Sequence, residues 1–130
     1  MSYLSGENLV AGYGGADILH GCSIDVNEGE IAVIVGPNGS GKSTAMKAIF
    51  GMLNLKSGSV KINGEDISSI SVFERVKKGM AFVPQTNNVF TSLTVEENLE
   101  MGAFLQKDDF SMVMEEVYSL FPVLKEKRNQ

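Results

Sequence analysis

The chain has 130 residues, 43% of them hydrophobic and 21% charged, which fits one globular domain with a real core and excludes a disordered or collagen-like chain. Lys plus Arg is 11 against 16 for Asp plus Glu, a formal charge of −5 that argues against a general nucleic-acid binder. The single cysteine, Cys22, cannot form an intrachain disulfide and reads as a small buried apolar residue. No apolar run reaches the ~20 residues of a membrane-spanning helix, and MSYLSGEN lacks the basic and apolar regions of a signal peptide. A soluble, cytoplasmic protein is the expectation.

In chain order, Asn8–Tyr13 and Ile18–Val26 predict two strands, with Gly14-Gly15 as the turn between them. Asn27–Glu30 predicts another turn. Ile31–Val35 is a five-residue apolar run, mostly β-branched, of the kind found in a strand buried on both faces of a parallel sheet. Lys42–Met52 follows a Gly-rich segment and predicts a helix through Ala45, Met46, Ala48, Ile49 and Met52. Ser59–Asn63 alternates as a short strand before the Asn63-Gly64 turn. Ser71–Lys78 predicts a short helix. Met80–Val83 is a second apolar run, stopped by Pro84. Thr94-Val95-Glu96-Glu97 has the form of a capping box and opens a helix to about Leu105. Ser111–Phe121 predicts a last helix before Pro122. Strands alternating with helices after residue 30 predict an α/β domain with an antiparallel β layer at its N-terminal end.

One segment carries chemistry. Gly36-Pro37-Asn38-Gly39-Ser40-Gly41-Lys42-Ser43-Thr44 matches G-x4-G-K-[ST] between a predicted buried strand and a predicted helix, the context of a phosphate-binding loop. In such a loop, backbone N–H groups curl around phosphate oxygens, aided by the positive end of the helix dipole. Gly36, Gly39 and Gly41 permit the backbone angles and close approaches this needs. Lys42 reaches the β- and γ-phosphate oxygens, Ser43 offers a hydroxyl to magnesium, and Thr44 adds a phosphate contact.

GPNGSGKST resembles the Walker A loop of ATP-binding cassette (ABC) ATPases, and the resemblance extends over essentially the whole chain. It runs through ILHGCSIDVNEGEIAVIVGPNGSGKST, SGSVKINGEDI and GMAFVPQTNNVFTSLTVEENLEMGA. ERVKKGMAFVPQ, TVEENL and FPVLKEKRNQ are most similar to the ATPase subunits of branched-chain amino-acid importers, and related exporters share much of the wording. The resemblance implies a P-loop NTPase fold with an N-terminal antiparallel β layer and an incomplete parallel core sheet. It implies a single partial ATP-binding domain over 1–130. The β layer would take 3–30 and 59–63, the phosphate-loop core 31–56, a strand with a sensor glutamine 80–85, and the start of a helical subdomain 86–130. ATP and Mg2+ are the implied ligands. The implied partners are transmembrane permease subunits and a second ATP-binding subunit, at the cytoplasmic face of the membrane.

The resemblance also assigns residues. Tyr13 takes the place of the family's adenine-stacking aromatic, the alternative being an ordinary strand tyrosine. Gln85, in VPQ, takes the place of the glutamine that contacts magnesium and the attacking water, which places it with Lys42 as a catalytic residue and with Ser43 as a metal ligand. Asn87–Gly102 would be part of the surface that receives a helix of the membrane partner, although Phe90, Leu93 and Leu99 suit a local core equally well. His20 precedes the loop and does not correspond to the family's switch histidine. The LSGGQ-type signature and an apolar strand ending in Asp-Glu do not occur in these 130 residues. Hydrolysis needs a positioned water and groups that stabilise the developing charge. The chain alone is therefore expected to be at most a partial nucleotide-binding module that does not turn ATP over above a Lys42→Ala control.

Overall fold

The computed structural model describes residues 2–86, 88–103 and 109–130. It divides into two compact units, Met1–Phe82 and Val83–Gln130.

The first unit is built on an antiparallel sheet. β1 (Ser2–Tyr13) and β2 (Ala16–Asn27) form a hairpin around Gly14-Gly15. β3 (Ser57–Ile62) pairs with the other edge of β1, and the two-residue β4 (Glu65–Asp66) turns back on β3, giving the order β2-β1-β3-β4. Asn63 and Gly64, at φ 49° and 82°, make the β3–β4 turn that the Asn-Gly pair predicts. β1 is longer than the sequence pattern suggests because its alternation is broken: the register shifts between Gly6 and Leu9, around Asn8 at φ 51°. A bulge of this kind shifts the buried face by one residue and hides a strand from a period-two reading.

α1 (Lys42–Phe50) lies against this sheet, with Ala45 and Ala48 buried among Leu9, Ala11, Leu19, Val60, Ile62 and Ile67. Small residues on the packed face let the helix approach closely. α1 ends at Gly51 in a Schellman arrangement, with Gly51 N–H donating to the Ala48 carbonyl and Met52 N–H to that of Lys47. α2 (Val72–Lys77) follows, capped by Ser71, whose hydroxyl accepts from Glu74 N–H at 3.2 Å. Arg75 of α2 is 2% exposed, the most buried charge described. It donates to the carbonyls of Ile49 (2.6 Å), Ser68 (3.1 Å) and Ile70 (3.2 Å).

The structure corrects two predicted elements. Ile31–Val35 and Met80–Val83 pair with no strand among the described residues. Ile31, Val33 and Val35 are 93%, 77% and 83% exposed, the reverse of the expected burial. A strand buried on both faces needs hydrogen-bonded neighbours along its edges. The four-stranded antiparallel sheet supplies none, so a β-branched composition alone does not make these runs strands. Cys22, expected to be buried, is half-buried against the core, and burial raises its thiol pKa.

The second unit is helical. α3 (Val95–Met101), α4 (Ser111–Leu120) and α5 (Pro122–Glu126) are its elements. α5 starts on Pro122 at a helix N-terminus, where proline's fixed φ is suited, and it was not legible as a helix in the polar Lys125–Gln130 tail. The expected capping box is present: Glu97 N–H donates to Thr94 Oγ1 at 3.1 Å, and Thr94 N–H to Glu97 Oε2 at 2.8 Å. The next free amides of α3 are met from elsewhere, Val95 N–H by the Gln130 carbonyl and Glu96 N–H by that of Arg128. The end predicted for this helix, Leu105, and Asn87, the first residue of the expected partner surface, lie outside the described residues.

Candidate nucleotide site

The glycine-rich segment forms a turn leading into α1. Ser40 N–H donates to the Pro37 carbonyl at 3.2 Å, closing the Pro37-Asn38-Gly39-Ser40 turn, with Gly39 at φ 83°. Gly41 is the N-cap residue of α1 at φ 96°, and a Cβ there would also lie 3.3 Å from Leu19 and 3.4 Å from Ile18. Both the backbone angle and the close packing on β2 therefore favour glycine. At Gly36 a Cβ would come within 2.8 Å of Ser40 Oγ. At Gly39 a Cβ would meet nothing within 4 Å, so there it is the positive φ that favours glycine.

The start of α1 is chemically open. Gly41 offers no side-chain cap, and the first turn contains no acidic residue. The early N–H groups of a helix have no intrahelical acceptor, and the helix dipole adds partial positive charge there. Lys42 folds back over the loop, its ammonium donating to the Gly36 carbonyl and, at 3.1 Å, to that of Pro37. Ser43 is exposed beside it, and Thr44 is 6% exposed, turned toward the buried side of α1. The loop, the cation and the hydroxyl thus converge on one helix end. That donor set fits a polyphosphate: Gly36–Gly41 and Lys42 would hold the oxygens, and Ser43 would face an accompanying magnesium ion. Bound there, the ion would offset the phosphate charge.

Tyr13 stands at the end of β1 and is about half-exposed, at 47%. Lys47 of α1 places its ammonium 5.7 Å from the centre of the Tyr13 ring. The sequence reading missed Lys47. Its only signal was its place five residues after Lys42 on the predicted helix, and nothing in the sequence brings that position to Tyr13. Beside α1 runs an open apolar groove of about 540 Å³ that Lys42 and Ser43 border together with Met46, Phe50, Val33 and Phe82. The rings of Phe50 and Phe82 stack there at 5.5 Å. Gln85 belongs to the second unit and is exposed in a bend after Pro84. Within that unit, Val89 and Phe90 are exposed at the rim of a second apolar groove of about 550 Å³ with Val95, Leu99, Met101 and Leu124. Phe90 is therefore not a core residue, and Leu93 and Leu99 are half-buried. Asn98 ties this stretch to α3, its side chain bonded to both the N–H and the carbonyl of Phe90.

Loop, helix and β layer together define a nucleotide-binding domain of the P-loop class. The ABC transporter family model matches residues 19–129, and the chain belongs to that family. It is 41% identical over 128 residues to the high-affinity branched-chain amino acid transport ATP-binding protein BraG of Pseudomonas aeruginosa, covering 98% of this chain and 55% of that protein. It is 43% identical over 118 residues to a probable branched-chain amino acid transport ATP-binding protein, LivF, of Archaeoglobus fulgidus, covering 90% of this chain and 50% of that protein. The lipopolysaccharide export ATP-binding protein LptB of Haemophilus influenzae is 37% identical over 108 residues, 83% of this chain and 45% of that protein. Among solved structures, a nucleotide-free ATP-binding cassette from an ABC transporter superposes with a TM-score of 0.81 at 32% identity, over all of this chain and 57% of that one. The ADP conformation of MJ1267, another such cassette, gives 0.72 at 37% identity, over 84% and 43%. The chain spans about half the length of the curated relatives it matches. No helix among the described residues is long and apolar enough to cross a membrane.

Proposed function

We propose that this chain supplies the phosphate-binding part of an ATP-binding subunit that energises membrane transport, with branched-chain amino-acid import as the transport reaction. The observation that carries the nucleotide reading is the convergence of the Gly36–Gly41 loop, the Lys42 ammonium and the Ser43 hydroxyl on the uncapped start of α1. Tyr13 stacks the adenine, Lys42 holds the β- and γ-phosphates, Thr44 adds a phosphate contact, and Ser43 with Gln85 faces Mg2+. Gln85 and Lys42 are the catalytic residues of the assembled subunit. Its partners are transmembrane permease subunits at the cytoplasmic face of the membrane and a second ATP-binding subunit. The groove at Val89 and Phe90 receives the permease.

The test is binding of a fluorescent ATP analogue with Mg2+ to the chain and to Lys42→Ala. Binding lost in the variant is expected, together with no ATP turnover above that variant. Equal binding by both proteins refutes the site. A second reading, lipopolysaccharide export, has the likeness to LptB in its favour. Disrupting the gene separates the two: labelled leucine uptake falls if the import reading holds, and unchanged uptake with a defective outer surface supports export.

A further inference from the structure

We infer that Lys47 is a positioning residue for the base of the nucleotide: it braces the Tyr13 ring from α1 and strengthens that ring's stacking on a purine. The inference rests on the nucleotide reading above and concerns the base, not the phosphates. The Lys47 ammonium lies 5.7 Å from the ring centre, within the range of a cation–π attraction. Its charge is not consumed elsewhere: among the described residues no carboxylate pairs with Lys47, and Asp17, the acid of the β1–β2 hairpin tip, pairs with Lys56 at 2.5 Å.

The geometry couples two elements that otherwise meet only through the core. Tyr13 is the last residue of β1, paired with Ala16 across the exposed Gly14-Gly15 turn. Lys47 stands on the helix that also presents Lys42 and Ser43. A cation against one part of the ring restricts its rotation, and the half-exposed remainder stays open to a flat partner. Drawing π-density toward the cation also leaves the ring a better stacking partner for an electron-rich purine. Phosphate and base would then be held from one rigid helix, with the base held through Tyr13.

The test uses the whole chain, calorimetric titration with MgATP and with magnesium tripolyphosphate, and physiological ionic strength, where charges farther apart than about 8 Å are largely screened. Lys47→Met is expected to weaken MgATP about two- to fivefold, the range of an exposed cation–π contact. Tripolyphosphate affinity is expected to stay within error. Lys47→Arg, which keeps a cation over the ring, should restore ATP binding. In a Tyr13→Leu background, Lys47→Met should have no further effect. Equal losses for the two ligands overturn the inference and place the effect of Lys47 at the phosphates. Undiminished ATP binding by Lys47→Met overturns it as well and leaves the nucleotide site standing. If the native chain binds neither ligand better than Lys42→Ala does, the nucleotide reading falls, and this inference falls with it.

Discussion

Arg75 offers the sharpest test of how this fold holds the end of α1 in place. Its guanidinium is buried, carries no acidic partner among the described salt bridges, and donates to three carbonyls, those of Ile49, Ser68 and Ile70. The Ile49 carbonyl belongs to the last turn of α1, where carbonyls lack intrahelical donors and the dipole is negative, so a cation there is doubly favoured. Burial lowers the pKa of Arg75 from its ordinary value, but an arginine remains charged at any physiological pH. Arg75→Met keeps much of the volume and removes the charge and all three bonds. Each bond to a charged donor contributes about 1.5–3 kcal/mol, and the desolvation of the guanidinium offsets part of the sum. Three carbonyls left without donors set a net cost of about 3 kcal/mol. In a urea titration that lowers the midpoint by roughly 1.5 M, taking a slope near 2 kcal/mol per M. Gly51 supplies an internal control. It sits at φ 92°, and a Cβ there would come within 2.8 Å of Arg75 Nε. Gly51→Ala therefore suffers backbone strain of about 1–2 kcal/mol plus a collision with the arginine. Without its three bonds the side chain at 75 is free to move away from the added Cβ in the Arg75→Met background, so the two substitutions together should cost less than their sum. A loss below about 1 kcal/mol for Arg75→Met, or strictly additive costs, would refute the view that the guanidinium fastens the end of α1.

Two further outcomes follow from the helical unit. Thr94→Ala removes one half of the capping box and should destabilise this unit by about 1 kcal/mol, read as faster amide exchange at Glu97 and Asn98; unchanged exchange would show that the carbonyls of Arg128 and Gln130 suffice to hold the helix start. Tyr118 donates to Glu96 Oε1 at 3.1 Å, and burial, then the bond and charge of Glu96, raise its pKa. A raised folded value means that its contribution is whole below the unfolded value of about 10 and is lost as pH rises through the folded value. Tyr118→Phe should therefore flatten the alkaline side of the stability profile, and identical profiles for the two proteins would contradict the assignment.

Local signals were the legible part of the sequence. The Gly36–Thr44 pattern, the Asn63-Gly64 turn, the Thr94 capping box and the α1 helix each depend on neighbours within a few residues, and each is present in the structure. What the sequence concealed depends on distant partners. The bulge at Asn8 broke the alternation of β1, and the two-residue β4 is too short to show a period. Arg75 reads as one more basic residue in a charged helix until the Ile49 carbonyl is seen 26 positions away. At the candidate site, the loop and Lys42 stand out in the sequence by residue type and spacing. The Lys47–Tyr13 pair could not, because it requires the register of a helix over a sheet.

The exposed runs Ile31–Val35 and Met80–Val83 show which parts of the site the antiparallel layer can hold by itself. On the helix side, Lys42, Ser43 and Thr44 are fixed by Ala45 and Ala48 in the core, by the Schellman turn at Gly51 and by Arg75. On the strand side, nothing comparable precedes Gly36: Val33 and Val35 face solvent. There the conformation is held by the Pro37–Ser40 turn and by the two carbonyl contacts of Lys42. Lys42, the proposed phosphate-binding cation, is thus also the clasp of the loop. A phosphate taking up its ammonium would compete with those carbonyls, while the helix beneath keeps its place. The amides of α1 are preorganised by packing that does not involve the ligand. The strand side can be fixed to the same degree only when hydrogen-bonded neighbours cover the apolar run that leads into it.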